Sequence, residues 1–148
     1  MPERTQVASG SPYEETVGFS RAVRVGAHAY VAGTAPVWPD GEVDPDPSVQ
    51  ARRCWDIALD ALARVGGGVD DVVRTRQFLT PVADPDAVAA VHGEVFGAVR
   101  PASTMLVVAA LLDPRWVVEV ELDAVIEPRA TGDTLPSGQV RNTDQEPG

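Results

Sequence analysis

The sequence predicts an α+β domain of two layers, with strands before, between and after two helices in the order β-β-α-β-α-β-β. Three observations carry that expectation. Two helices announce themselves with the same device, an aspartate N-cap followed by proline, at Asp46-Pro47 and Asp84-Pro85. The segment from Trp116 to Ile126 alternates, with Val118, Val120, Leu122, Ala124 and Ile126 on one face and Glu119, Glu121 and Asp123 on the other. Finally, 148 residues with 44% apolar and 23% charged composition suit one globular domain and one core.

The elements follow in chain order. Residues 1–12, ending in Ser9-Gly10-Ser11-Pro12, read as a flexible or loosely docked arm. Ala22, Val23 and Val25 before Gly26-Ala27, and Tyr30 to Ala32 after it, read as a tight hairpin on a two-residue Gly-X turn. Pro39-Asp40-Gly41 punctuates a surface turn. The first helix sets Ala51, Cys54, Trp55, Ala58, Leu62 and Val65 at helical spacing and stops at Gly66-Gly67-Gly68. No lysine follows those glycines, so they read as a helix stop and not as a phosphate loop.

Val72 to Thr80 is β-branched and aromatic enough for a strand. The second helix runs from Asp86 toward Ala98, with Val88, Val91, Val95 and Phe96 in its stripe, weakened by Gly93 and Gly97. Thr104 to Leu112 is a nearly unbroken apolar run, which predicts a central strand covered on both faces. Two short helices cannot cover so much apolar surface, and self-association through the open sheet face follows. The folded domain is expected over 13–128, and 129–148, rich in Gly, Pro and polar residues, as a disordered tail.

Composition also excludes functions. Cys54 is the only cysteine, so an intramolecular disulfide and any cysteine-cluster metal site are ruled out. No apolar run approaches the roughly 20 residues of a membrane span, and no secretory h-region opens the chain, so a cytoplasmic protein is expected. A formal charge of −10 is the wrong sign for a nucleic-acid partner held by counterion release.

Few side chains suggest chemistry. His28 and His92 are the only imidazoles, too few for a histidine-rich metal site, and His92 reads first as a packing or surface histidine. The acidic row reads first as a solvated face. Glu119 stands out because Trp116 precedes it and because an antiparallel hairpin through Leu112-Asp113-Pro114-Arg115 would bring the Ser103-Thr104 strand alongside. A carboxylate against an apolar wall beside a hydroxyl is able to position water.

Five segments, taken together, resemble one family. Phe19-Ser20-Arg21-Ala22-Val23, Val31-Ala32-Gly33-Thr34-Ala35-Pro36, Val72 to Thr80, Val95-Phe96 leading to Arg100-Pro101-Ala102-Ser103-Thr104, and Val118-Glu119-Val120-Glu121 are similar in order and spacing to the RidA (YjgF) family of reactive-intermediate deaminases. The resemblance covers about 17–127. It implies a chorismate-mutase-like fold, a homotrimer whose sheets form an inner barrel, and three ligand clefts between neighbouring subunits. It also implies hydrolysis of 2-imino or 2-enamino acids to 2-keto acids and ammonia, with no metal or organic cofactor.

In that family an arginine clamps the substrate carboxylate by a two-pronged hydrogen bond, and a glutamate of the last strand orients water. Here the clamp position is Ser103, whose hydroxyl cannot replace a planar cation. The glutamate is kept as Glu119. Phe19 stands where the family often has tyrosine, Met105 where it tends to have cysteine, and His92 where it commonly has asparagine.

The reading of the residues and the resemblance together assign Glu119 and Thr104 as catalytic. Ser103, Phe19, Gly33, Thr34, Met105, His92 and Trp116 become substrate-binding residues, with no metal site. With the clamp gone, a neutral or cationic small molecule is expected in place of an anionic 2-imino acid, unless Arg100 or Arg115 swings in. The expected activity is hydrolysis or tautomerisation of an imine or enamine. The alternative is a non-catalytic small-molecule-binding or regulatory trimer, and a ribonuclease role is disfavoured by the charge.

Overall fold

The computed structural model describes residues 2–128, so the expectation of a disordered tail over 129–148 lies outside the described residues. The chain forms β1 (Arg4–Val7), β2 (Ala22–Val25), β3 (His28–Thr34), α1 (Pro47–Arg64), β4 (Val72–Leu79), α2 (Pro85–Phe96), β5 (Ala102–Val107) and β6 (Val118–Val125). One six-stranded sheet has the order β1-β2-β3-β6-β4-β5. The two helices pack on one of its faces, giving the mixed α+β fold that the sequence predicts.

Local chemistry explains most of these elements. Gly26, at φ +60°, starts the two-residue turn that pairs Val25 with His28. The Asp46 side chain accepts from Ser48 N and Val49 N, and that of Asp84 accepts from Asp86 N, so both helices start where an aspartate satisfies free N–H groups. At the far end of α1, Gly66 N donates to Ala63 O and Gly67 N to Leu62 O while Gly66 adopts φ +92°. This is a Schellman stop, which leaves the three glycines no phosphate-binding duty. The core lies between helices and sheet, where Trp55, Phe96, Leu62, Leu79 and Leu122 are fully buried.

Three expectations are corrected. Residues 1–12 are not simply a loose arm, because Arg4–Val7 pairs antiparallel with Ala22–Val25 as an edge strand. The hairpin between the last two strands does not form. The connection from Val108 to Val117 carries β6 across the sheet, where it inserts between β3 and β4, while β5 lies parallel to β4 on the outside. The apolar run therefore ends at Val107 as a strand, and it is an edge strand and not a central one. Leu106 and Val107 stay 49% and 63% exposed, surface that the described chain does not itself cover.

Candidate active site

Glu119 opens onto a cleft of about 770 Å³, which is also lined by Phe19, Arg21, Gly33, Trp116 and the Ser9–Pro12 segment. Each lining residue has a structural reason to be there. Val118 and Val120 are fully buried under the helices, so the two-residue period of β6 turns Glu119 to the other side. The β3–β6 register shifts between Val31 and Thr34, and this irregularity brings Gly33 against the carboxylate. A Cβ added at Gly33 would stand 3.1 Å from Glu119 Oε1. Gly33→Ala is therefore expected to leave the fold intact but push the carboxylate aside by tenths of an ångström. Turnover should fall about tenfold, measured as kcat at an unchanged melting temperature.

Arg21 is the residue that sequence reasoning missed. Its Nη2 donates to the Gly33 carbonyl at 2.6 Å, and its Nε is buried without a partner among the described residues. Burial pulls the guanidinium down from its ordinary value, opposed by Glu14 and Glu119, and it stays charged. Burial in turn raises the Glu119 carboxyl, with Arg21 opposing and Glu121 adding to the rise. The cleft thus holds one anion and one cation that feel each other's charge, and Trp116 adds a buried indole N–H without a partner among the described residues. A signal for Arg21 existed: it lies two residues after Phe19, on the same side of an extended chain.

Of the two arginines suggested as substitutes, one is engaged elsewhere. Arg115 binds Asp113 and the Gly41 carbonyl, and Arg100 is exposed in a left-handed turn at φ +57°. Thr34 is also corrected, since its side chain is buried and its hydroxyl donates to the Ala32 carbonyl at 2.8 Å. Cys54, beneath the sheet, donates weakly to Val118 O, and burial pushes its thiol up, so it is an inert packing residue.

The remaining predicted residues form a second group. Ser103 Oγ lies 2.9 Å from Thr75 Oγ1, which is 2.8 Å from His92 Nε2. Met105, two residues along β5, packs against the core nearby. Thr104 points to the opposite face of β5, in register with Arg76, and β4 separates it from β6. The structure therefore does not bring Thr104 to Glu119, because the hairpin that would have done so is absent. Ser103 is two strands and three register positions from Glu119, on the order of 14 Å at ordinary sheet spacings. One small molecule cannot touch both groups within one chain.

Among the described residues no group of three or more His, Cys, Asp and Glu is placed to hold a metal ion. None of their helices is long and apolar enough to cross a membrane.

Comparison with known proteins fits this arrangement. The family model described as Endoribonuclease L-PSP matches residues 11–126. An uncharacterised protein of Streptomyces coelicolor is 43% identical over 122 residues, covering 80% of this chain and 90% of the relative. A RutC family protein of Pyrococcus abyssi is 31% identical over 109 residues, covering 72% and 84%. Among solved structures, Rv2704 of Mycobacterium tuberculosis, a member of the YjgF/YER057c/UK114 family, superposes with a TM-score of 0.76. It is 40% identical, and the match covers 84% of this chain and 100% of that one. A fold, a glutamate-bearing last strand and a family match over nearly the whole described chain agree, and the protein belongs to the YjgF/RidA family.

Proposed function

We propose that the protein is a cofactor-independent Rid-type enzyme that hydrolyses or tautomerises an uncharged imine or enamine, in clefts formed where copies of the chain meet as a homotrimer. The observation that carries this reading is Glu119, half-buried beside Trp116 with Arg21 as its counter-charge. A carboxyl raised by burial is a better proton acceptor than a solvated one, while the nearby guanidinium keeps a useful fraction ionised. Water held by Glu119 attacks the C=N carbon, its proton passes to the carboxylate, and collapse of the adduct releases a carbonyl compound and ammonia or an amine.

Arg21 changes the earlier expectation about charge without reversing it. Its Nη2 donates to Gly33 and its charge is opposed by Glu14 and Glu119, so it is a partly compensated cation and not a bare one waiting for a carboxylate. An uncharged electrophile suits a cleft of paired charges. The distance between the Glu119 and Ser103 groups supports assembly, since only a neighbouring copy can complete the site, and exposed Leu106 and Val107 offer surface for it. The acidic row and the charge of −10 weigh against RNA as substrate.

A non-catalytic binding trimer is the second reading, favoured by Ser103 in place of arginine. Two probes of one skeleton, 2-iminopropanamide and 2-iminopropanoate generated in situ, discriminate. The enzyme should consume the uncharged amide faster than the acid, and sedimentation should give a trimer. Thermal stabilisation by a metabolite with neither probe consumed would establish the binder instead.

A further inference from the structure

We infer that Ser103, Thr75 and His92 form a proton relay whose outlet, the Ser103 hydroxyl, exchanges a proton with an uncharged N–H or O–H group of the bound molecule. The inference deepens the reading above and depends on it for the identity of that molecule. Its basis is a continuous chain of three polar side chains running from an exposed strand edge into the helix layer. Ser103 is exposed on β5, Thr75 is fully buried on β4, and His92 is half-buried on α2. The contacts are 2.8 Å from Thr75 Oγ1 to His92 Nε2 and 2.9 Å from Thr75 Oγ1 to Ser103 Oγ, and the direct Ser103–His92 approach is longer, at 3.4 Å. The threonine is thus the better path.

The surroundings hold the ring in place. Trp55 meets His92 edge-on at 5.7 Å and Phe96 lies at 4.8 Å, so the imidazole has apolar walls on two sides. Burial lowers its pKa, which leaves it neutral near pH 7 and makes the imidazolium a transient state that readily returns its proton. The charged groups of the neighbouring elements are engaged elsewhere. Arg52 of α1 pairs with Glu94 of α2, and Arg76 of β4 pairs with Glu121 and Asp123. Arg74 of β4 is exposed, and β5 carries no titratable side chain.

A hydroxyl has one proton, so the chain has two polarities. In one, Thr75 donates to Ser103 and accepts from Nε2–H; in the other, Ser103 donates to Thr75 and Thr75 donates to Nε2. A ligand O–H or N–H then gives its proton to Ser103 Oγ, the serine proton passes to Thr75, and the threonine proton passes to Nε2. The result is an imidazolium and a deprotonated ligand atom, with both hydroxyls restored and the polarity reversed. The return trip delivers the proton to the leaving nitrogen. An arginine clamp offers only fixed positive charge, whereas this chain offers a proton that moves. It therefore suits the O–H of the water adduct or the N–H of an enamine, and not a carboxylate.

The test uses the full-length protein with 15N-labelled imidazoles, since His92 and the exposed His28 are its only two histidines. The relay requires that Ser103→Ala, a change at the exposed outlet, and Thr75→Val both alter the tautomer balance and titration midpoint of His92 while His28 stays unchanged. With 2-iminopropanamide, Thr75→Val should lower kcat about 100-fold and remove the His92 limb of the pH profile, and Thr75→Ser should restore both. His92 signals in Ser103→Ala identical to wild type would overturn the relay whether or not any probe is consumed. So would a full pH limb in Thr75→Val. Glu119→Gln should leave the His92 signals untouched, so failure of the general-base reading and failure of the relay are distinguishable.

Discussion

Glu119→Gln should abolish turnover while making the protein slightly more stable at neutral pH. The catalytic loss follows from geometry. The amide keeps the shape beside Gly33 and Trp116 but cannot accept the proton of attacking water, and loss of a positioned general base costs about 100-fold to 10,000-fold in kcat. The stability gain follows from linkage. Burial raises the Glu119 pKa in the folded chain, so its favourable contribution is complete below the unfolded value near about pH 4 and is lost as pH rises through the higher folded value. At pH 7 the ionised side chain is held in a less hydrated place than it would occupy unfolded, and the neutral amide avoids that cost. Melting temperatures at pH 4 and pH 7 check the sign: the variant should exceed wild type at pH 7, and the difference should shrink toward pH 4. A variant less stable than wild type at pH 7, by a margin that shrinks toward pH 4, would mean that the Arg21 attraction outweighs burial, and retained activity would remove Glu119 from the mechanism.

What the sequence disclosed, and what it hid, divides along the range of the forces involved. Asp46 and Asp84 cap their helices through bonds to residues two or three positions away, so the sequence is enough to place both starts. Gly26 and the alternation from Val118 to Val125 are equally local. The short polar Arg4–Val7 has no pattern that distinguishes a strand from a loose arm, and only the partner β2 decides it. The apolar run after Thr104 looks the same whether the strand is central or at an edge. Its place depends on β6 inserting beside β4, a pairing set across the whole sheet.

The site divides the same way. Phe19, Gly33, Trp116 and Glu119 line one cleft, and Ser103 and His92 meet in another group. Arg21 escaped because a replacement cation was sought near Ser103 in the sequence, whereas this one comes from the far side of the sheet. Thr75 escaped because a β-branched residue in a strand looks like ordinary packing. Thr34 was wrongly enlisted because the side its hydroxyl takes is set by the bulge in β3, and Thr104 because the strand exchange puts β4 between it and Glu119 although both lie on one face of the sheet.

Trp55→Ala should cost about 3–5 kcal/mol, a large share of the roughly 5–15 kcal/mol that holds a domain of this size folded. Trp55 is fully buried at the centre of the helix layer, edge-on to Phe96 at 4.8 Å and to His92 at 5.7 Å. Truncation removes both aromatic contacts and leaves a cavity that neither helix can fill, because Asp46 and Asp84 fix their starts. At roughly 2–4 °C per kcal/mol the melting temperature should fall by about 6–20 °C. Trp55→Phe separates volume from polarity. It keeps an aromatic body and removes an indole N–H that is buried without a partner among the described residues, so its loss should be about half that of the alanine variant or less. If the two variants are equally unstable, the indole nitrogen is satisfied by something such as a bound water and the packing account is incomplete. The alanine variant should also free the His92 ring, coupling the stability of the core to the side chain that β5 borrows for its proton chemistry.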